Sequence, residues 1–147
     1  YYWDWTKAKK FMDKWETPST PPISVLYGLQ AALAMMMAEG VANVFARHAR
    51  LATMCRDGVT ALGVTAFCKD PARYSNTVSS FDCPAGLTSS QISKWLKQNY
   101  KIVIAGGQGH LKESIFRIGH MGYVREEDIR YVLTAMEDCM KTLRPGT

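Results

Sequence analysis

The stretch Ile115-Phe116-Arg117-Ile118-Gly119-His120-Met121-Gly122 governs the reading of this chain. Its first five residues alternate as a strand does. Phe116 and Ile118 then share one face, and Ile115, Arg117 and Gly119 share the other. An arginine in mid-strand between apolar neighbours needs a partner. One reading pairs it with a nearby Asp or Glu, or lets it snorkel to water. The other makes it an anion hook, because a guanidinium offers a planar fork that matches a carboxylate with two parallel hydrogen bonds.

Working outward from that strand, Gly106-Gly107-Gln108-Gly109 reads as a tight turn, and Lys101–Ala105 as a strand before it. Thr88-Ser89-Ser90-Gln91 fits a capping box, in which the hydroxyl and the glutamine satisfy each other's backbone N–H groups. It opens a helix over Ser90–Asn99 that buries Ile92, Trp95 and Leu96. Asn76–Cys83 alternates as a strand, closed by Pro84-Ala85-Gly86, and Val64–Phe67 reads as a further short strand. Downstream, Arg125–Leu143 is a helix buried through Ile129, Val132, Leu133 and Met136.

Toward the N-terminus, Val41–Leu62 is a helix whose polar side carries Arg47, His48, Arg50 and Arg56. Ile23–Ala38 reads as a long buried helix, apolar nearly all round, that must be covered on all sides. A chain of this size has little to cover it with, which points to a partner surface. Thr17-Pro18-Ser19-Thr20-Pro21-Pro22 is an extended connection, since proline fixes φ and keeps the preceding residue out of the helical region. Asp4–Trp15 is a short helix or turn anchored by Trp5, Phe11 and Trp15. Adjacent strands joined by short links predict an α+β fold, an antiparallel sheet with helices packed on one face and a long connecting helix before it. The expected organisation is 1–20 as the tail of another unit, 21–46 as the connecting helix and 47–147 as the domain.

Composition narrows the function classes. The chain has 147 residues, 47% of them hydrophobic and 21% charged, which excludes disorder and collagen-like fibre. The longest apolar run, Ala31–Met37, falls well short of the roughly 18 residues of a membrane span. The net charge of +5 suits a polyanion or an anionic substrate without demanding either. Cys55, Cys68, Cys83 and Cys139 form no Cys-x-x-Cys pair and read as reduced thiols in a cytosol-like compartment. The first residues lack the pattern of a signal peptide and lack an initiator Met, so the chain is expected to begin within a longer protein.

Other candidate sites are weaker. The glycine turn lacks the spacing of a P-loop or dinucleotide fingerprint. Arg47-His48-Ala49-Arg50 is either a solvated helix face or a phosphate-binding patch. His48, His110 and His120 are not spaced as a helical metal pair, so no metal site is expected. Met35-Met36-Met37 reads as core filler. Ser19 and Thr20 precede a helix, where capping is the default role and phosphate binding the alternative.

Seven pieces taken in order resemble one family. They are Tyr1-Tyr2-Trp3-Asp4, Thr20-Pro21-Pro22-Ile23, Ala38-Glu39-Gly40, Arg47-His48, Ala61-Leu62-Gly63, Gly106-Gly107-Gln108-Gly109 and the Phe116–Gly122 string. The chain is similar to the C-terminal portion of class V pyridoxal-phosphate aminotransferases of the serine–glyoxylate, alanine–glyoxylate and serine–pyruvate group. Some relatives in that group carry the label of a soluble hydrogenase small subunit. The resemblance implies the small domain of a cytoplasmic fold-type-I homodimer that moves an amino group between serine or alanine and glyoxylate or pyruvate. It implies that Arg117 holds the substrate carboxylate and that Thr20 binds the cofactor phosphate of the neighbouring subunit. Thr17 stands where some relatives have a further phosphate-binding tyrosine. The family's Schiff-base lysine lies in a segment upstream of this chain, so the chain alone is expected to be inactive and to bind no cofactor. Neither nucleic acid nor membrane is an expected partner. The competing expectation is a non-enzymatic binding module that uses the basic face around Arg47 and Arg50.

Overall fold

A computed structural model describes residues 3–144, and Tyr1 and Tyr2 of the first family-like string lie outside the described residues. The chain divides into two compact units, one ending at Val41 and the other beginning at Ala42.

The first unit holds α1 (Trp5–Met12) and α2 (Ile23–Glu39). Asp4 caps α1, its side chain accepting the Lys7 N–H at 3.0 Å. α2 starts after Pro22 and has no side-chain cap. The default capping role of Ser19 and Thr20 is therefore corrected: the proline pair places the helix start beyond their reach, and the Thr20 hydroxyl is exposed. Among the described residues the chain itself supplies no cover for the apolar helix read from sequence. No residue of α2 is buried, and Leu29, Leu33 and Met37 are exposed along it. Its apolar residues form no stripe that a single neighbour could cover.

The second unit is α+β. It contains α3 (Val41–Ala61), β1 (Val78–Asp82), α4 (Ser89–Tyr100), β2 (Ala105–Gly106), β3 (Ile115–Gly119) and α5 (Glu126–Leu143). The strands form an antiparallel sheet in the order β1-β3-β2. Phe81 lies opposite Phe116, with ring centroids 5.4 Å apart, and Ser79 lies opposite Ile118. That face joins one core with Leu51, Cys55 and Val59 of α3, Ile92 and Leu96 of α4, and Ile129 and Met136 of α5.

The helices form where local chemistry favours them. The capping box of α4 is present: Thr88 N–H donates to Gln91 Oε1 at 2.8 Å, and Gln91 N–H donates to Thr88 Oγ1 at 3.3 Å. Glu126, Glu127 and Asp128 place negative charge in the first turn of α5, where the helix dipole favours it. The buried residues of α3 recur at helical spacing, which turns one stripe toward the core.

Two expected strands do not form as read. Val64–Phe67 contributes one isolated bridge, Ala66 to Phe81, before Asp70 and Pro71 turn the chain away. Lys101–Ala105 becomes strand at Ala105 alone, because Lys101 closes α4 in the left-handed conformation with φ 59°. The Ile102 N–H then turns back to the Leu96 carbonyl at 3.3 Å rather than joining the sheet.

Candidate functional site

Arg117 occupies the middle of β3 on the face turned away from the core. The register places Ser80 of β1 and Ala105 of β2 directly across from it. Residues opposite each other in a ladder point to the same face, so the guanidinium has a small side chain on either side. Among the described residues no carboxylate pairs with it. Asp82, two residues along β1 from Ser80, is held by the Lys69 ammonium at 2.7 Å. Instead Arg117 Nε donates to the Gly106 carbonyl at 2.9 Å. The internal ion pair considered from sequence is thus absent. One edge of the guanidinium is tied to backbone, and among the described residues its terminal nitrogens have no ion-pair partner.

The turn that supplies the anchoring carbonyl is tightly constrained. The Gly107 N–H donates to Ile115 O at 3.1 Å. A Cβ on Gly107 would lie 2.0 Å from the Leu111 carbonyl oxygen, so only glycine fits there. Ser89, buried at the start of α4, donates its hydroxyl to Lys112 O at 2.7 Å. Glu113 accepts from the Ser90 hydroxyl at 2.8 Å and from the Ser90 N–H at 3.2 Å. These bonds hold its carboxyl below the usual carboxylate range.

The segment after β3 is clamped from α3. Arg47 Nη1 donates to Gly122 O at 2.9 Å and to Val124 O at 3.0 Å. The Gly122 N–H donates to His48 Nε2 at 3.1 Å, and His48 Nδ1 donates to Val44 O at 2.7 Å. Arg50 pairs with Glu126 at 2.7 Å. Arg47, His48 and Arg50 of the basic cluster thus each make a bond within the unit, because α3 runs alongside the loop it holds. The Arg47-His48 pair fastens the motif strand in place.

His120 is fully buried. Its Nδ1 donates to Asn76 O at 3.2 Å, and its Nε2 accepts from the Ser79 hydroxyl at 2.9 Å. Burial lowers its pKa below the ordinary histidine value. It staples the end of β3 to the start of β1. The four cysteines are free. Burial pushes Cys55 up to about 12 and both Cys83 and Cys139 up to about 11, which removes them as nucleophiles. Among the described residues no three His, Cys, Asp or Glu side chains gather to hold a metal.

Thr20, the other residue singled out from sequence, lies in the first unit. Its neighbour Thr17 donates its hydroxyl to Ser19 O at 2.7 Å and so keeps the proline segment extended. Sequence reasoning missed the Gly106 carbonyl as the anchor of Arg117. The only signal for it was the alternation of 115–119, which fixes the face but not the cross-strand partner.

The model of the aminotransferase class-V family matches residues 6–132. An uncharacterized aminotransferase of Methanocaldococcus jannaschii is 41% identical over 97% of this chain and 37% of its own length. A serine–glyoxylate aminotransferase of Hyphomicrobium methylovorum is 40% identical over 84% of this chain and 31% of its own length. The crystal structure of pyridoxamine–pyruvate aminotransferase from Mesorhizobium loti superposes with a TM-score of 0.82 at 31% identity, covering 88% of this chain and 33% of that one. This chain thus spans between about a quarter and a little over a third of the curated relatives it matches, from 26% to 37% of their length. Its α+β arrangement is found within fold-type-I aminotransferases. By sequence and by fold, the chain belongs to the class V aminotransferases.

Proposed function

We propose that this chain serves as the substrate-closing small domain of a pyridoxal-phosphate transaminase. The amino group moves between a small amino acid, serine or alanine, and a 2-oxo acid, glyoxylate or pyruvate. The observation that carries the reading is Arg117: a mid-strand guanidinium anchored through Nε at 2.9 Å and matched by no carboxylate among the described residues. With Nε tied to backbone, the two terminal nitrogens of the fork would take the α-carboxylate of either substrate. Relatives named for serine–glyoxylate, aspartate–glyoxylate and pyridoxamine–pyruvate transfer support the substrate class.

Residues 1–20 belong on this reading to the end of the large domain, 21–46 to a connecting helix and 47–147 to the small domain. The all-round apolar surface of α2 fits a helix covered by a large domain and by a second subunit. The cofactor's phosphate suits the start of α2. That helix of 17 residues has no side-chain cap, and the positive end of its dipole favours an anion. The Thr20 hydroxyl stands just before it and donates to the phosphate bound by the neighbouring subunit. Thr17 gives no such contact, since its hydroxyl is turned to Ser19 O.

Pyridoxal phosphate, when bound, supplies the electron sink that transamination needs. Arg117 fixes the carboxylate end of the substrate, so that its amino end meets the cofactor in one orientation. The lysine that carries the cofactor lies outside this chain. Lys7, Lys9, Lys10 and Lys14 follow the Trp3-Asp4 string rather than precede it. In the complete enzyme Arg117→Ala raises KM for the amino acid while the cofactor's visible absorbance persists. Full activity in that variant would remove Arg117 from the mechanism. Borohydride reduction of the 147-residue chain with pyridoxal phosphate leaves no site-specific adduct by intact mass. A stoichiometric adduct on one lysine would place the cofactor site within this chain.

A further inference from the structure

The guanidinium of Arg117 can bind a carboxylate in one geometry only if its anchor does not move. That anchor is a backbone carbonyl, Gly106 O, on a two-residue edge strand. So short a strand holds itself poorly, and something outside it must fix its position. Ser89 does so from the first residue of α4. Its Oγ is buried, donates to Lys112 O at 2.7 Å, and sits against Gly106 so closely that a Cβ there would come within 2.8 Å of it. The same Cβ would approach Lys112 O to 3.1 Å, so Gly106, Ser89 and Lys112 form one three-way contact. The Ser89 N–H adds a bond to Glu113 O at 3.2 Å.

We propose that Ser89 is a positioning residue for substrate binding: through Gly106 it sets the angle at which Arg117 presents its fork. This rests on the reading of Arg117 as the carboxylate hook. Ser89 touches no substrate. Without its hydroxyl, Lys112 O loses that donor, the loop from Gly106 to Glu113 relaxes, and the anchor carbonyl drifts with it.

A double-mutant cycle in the complete holoenzyme tests this. KM for the amino acid is measured for the parent, Ser89→Ala, Arg117→Lys and the double variant. Lysine carries a methylene where arginine has Nε–H, so its single ammonium cannot donate to Gly106 O through that position while presenting a two-pronged fork. Ser89→Ala is expected to raise KM on the order of tenfold in the parent, through misplacement of the fork. In the Arg117→Lys background it is expected to add less than about twofold, because the anchor is already unused. An equal rise in both backgrounds overturns the positioning role and leaves the carboxylate reading standing. An unchanged KM for Arg117→Lys alone overturns both. Should Ser89→Ala fail to fold, Gly106→Ala probes the same contact with the hydroxyl intact, and the same two patterns decide.

Discussion

α2 and α3 are consecutive long helices with opposite fates. α2 is the more apolar and buries nothing, whereas α3 alternates charge with apolar residues and buries Leu51, Ala52, Cys55 and Val59. The difference lies in pattern rather than in hydrophobicity. A helix with one apolar stripe meets one surface, and α3 finds that surface in the sheet and α5 of its own unit. A helix apolar on every side needs several surfaces, and the account assigns those of α2 to the remainder of the enzyme.

The largest test of this contrast lies in the core that α3 shares. Phe116→Ala removes a fully buried ring stacked on Phe81 and is expected to cost about 3–5 kcal/mol in urea unfolding of the chain. A loss no greater than that of an α2 substitution would erase the distinction between the helices. The pH dependence comes next. The pKa of His120 is lowered by burial, so between that value and the ordinary 6.5 the unfolded chain binds the extra proton. Its contribution to stability is complete above the ordinary value and is lost as pH falls below it. Arg56 and His48 nearby oppose the added charge. His120→Gln should flatten the stability profile on the acid side, and an unchanged slope would mean that another group titrates there.

Thr88→Ala tests a purely local device. Loss of the capping box should cost about 1 kcal/mol in the same unfolding measurement, with α4 otherwise intact. The smallest effect belongs to α2. Leu29→Ala should shift the stability of the monomeric chain by less than about 0.5 kcal/mol, since the side chain is already exposed. In the complete enzyme, where the account covers that face, the same substitution should cost about 2–5 kcal/mol. Equal values in the two settings would show that α2 stays uncovered.

Where local rules suffice, the fold was legible in the sequence. Thr88 and Gln91 announced α4, the alternation at 115–119 announced β3, and the spacing of Ile129 and Met136 announced the buried face of α5. The two misread strands were short runs rich in β-branched residues. Their outcome depended on ladder partners and on the turn at Lys101, which no short window contains. For α2, apolar composition shows that a surface wants cover but not where the cover lies. The site was half legible. An arginine in mid-strand stood out, and so did its family-like setting. Its tie to Gly106 across the sheet, and the support from Ser89, arise from register and packing. The carbonyl and carboxylate partners of Arg47 and Arg50 were not legible, because they come from residues more than 70 positions away.

The central claim is that Arg117 recognises a carboxylate. Its most direct test compares serine with ethanolamine, which lacks only that group, in single-turnover amino transfer by the complete enzyme. Arg117→Ala should slow serine on the order of a hundredfold or more, as expected for truncating one partner of a paired charge. Ethanolamine should change by less than about twofold, since it never used the fork. Equal slowing of the two amines would contradict the account, because it would place the effect of Arg117 somewhere other than at the carboxylate.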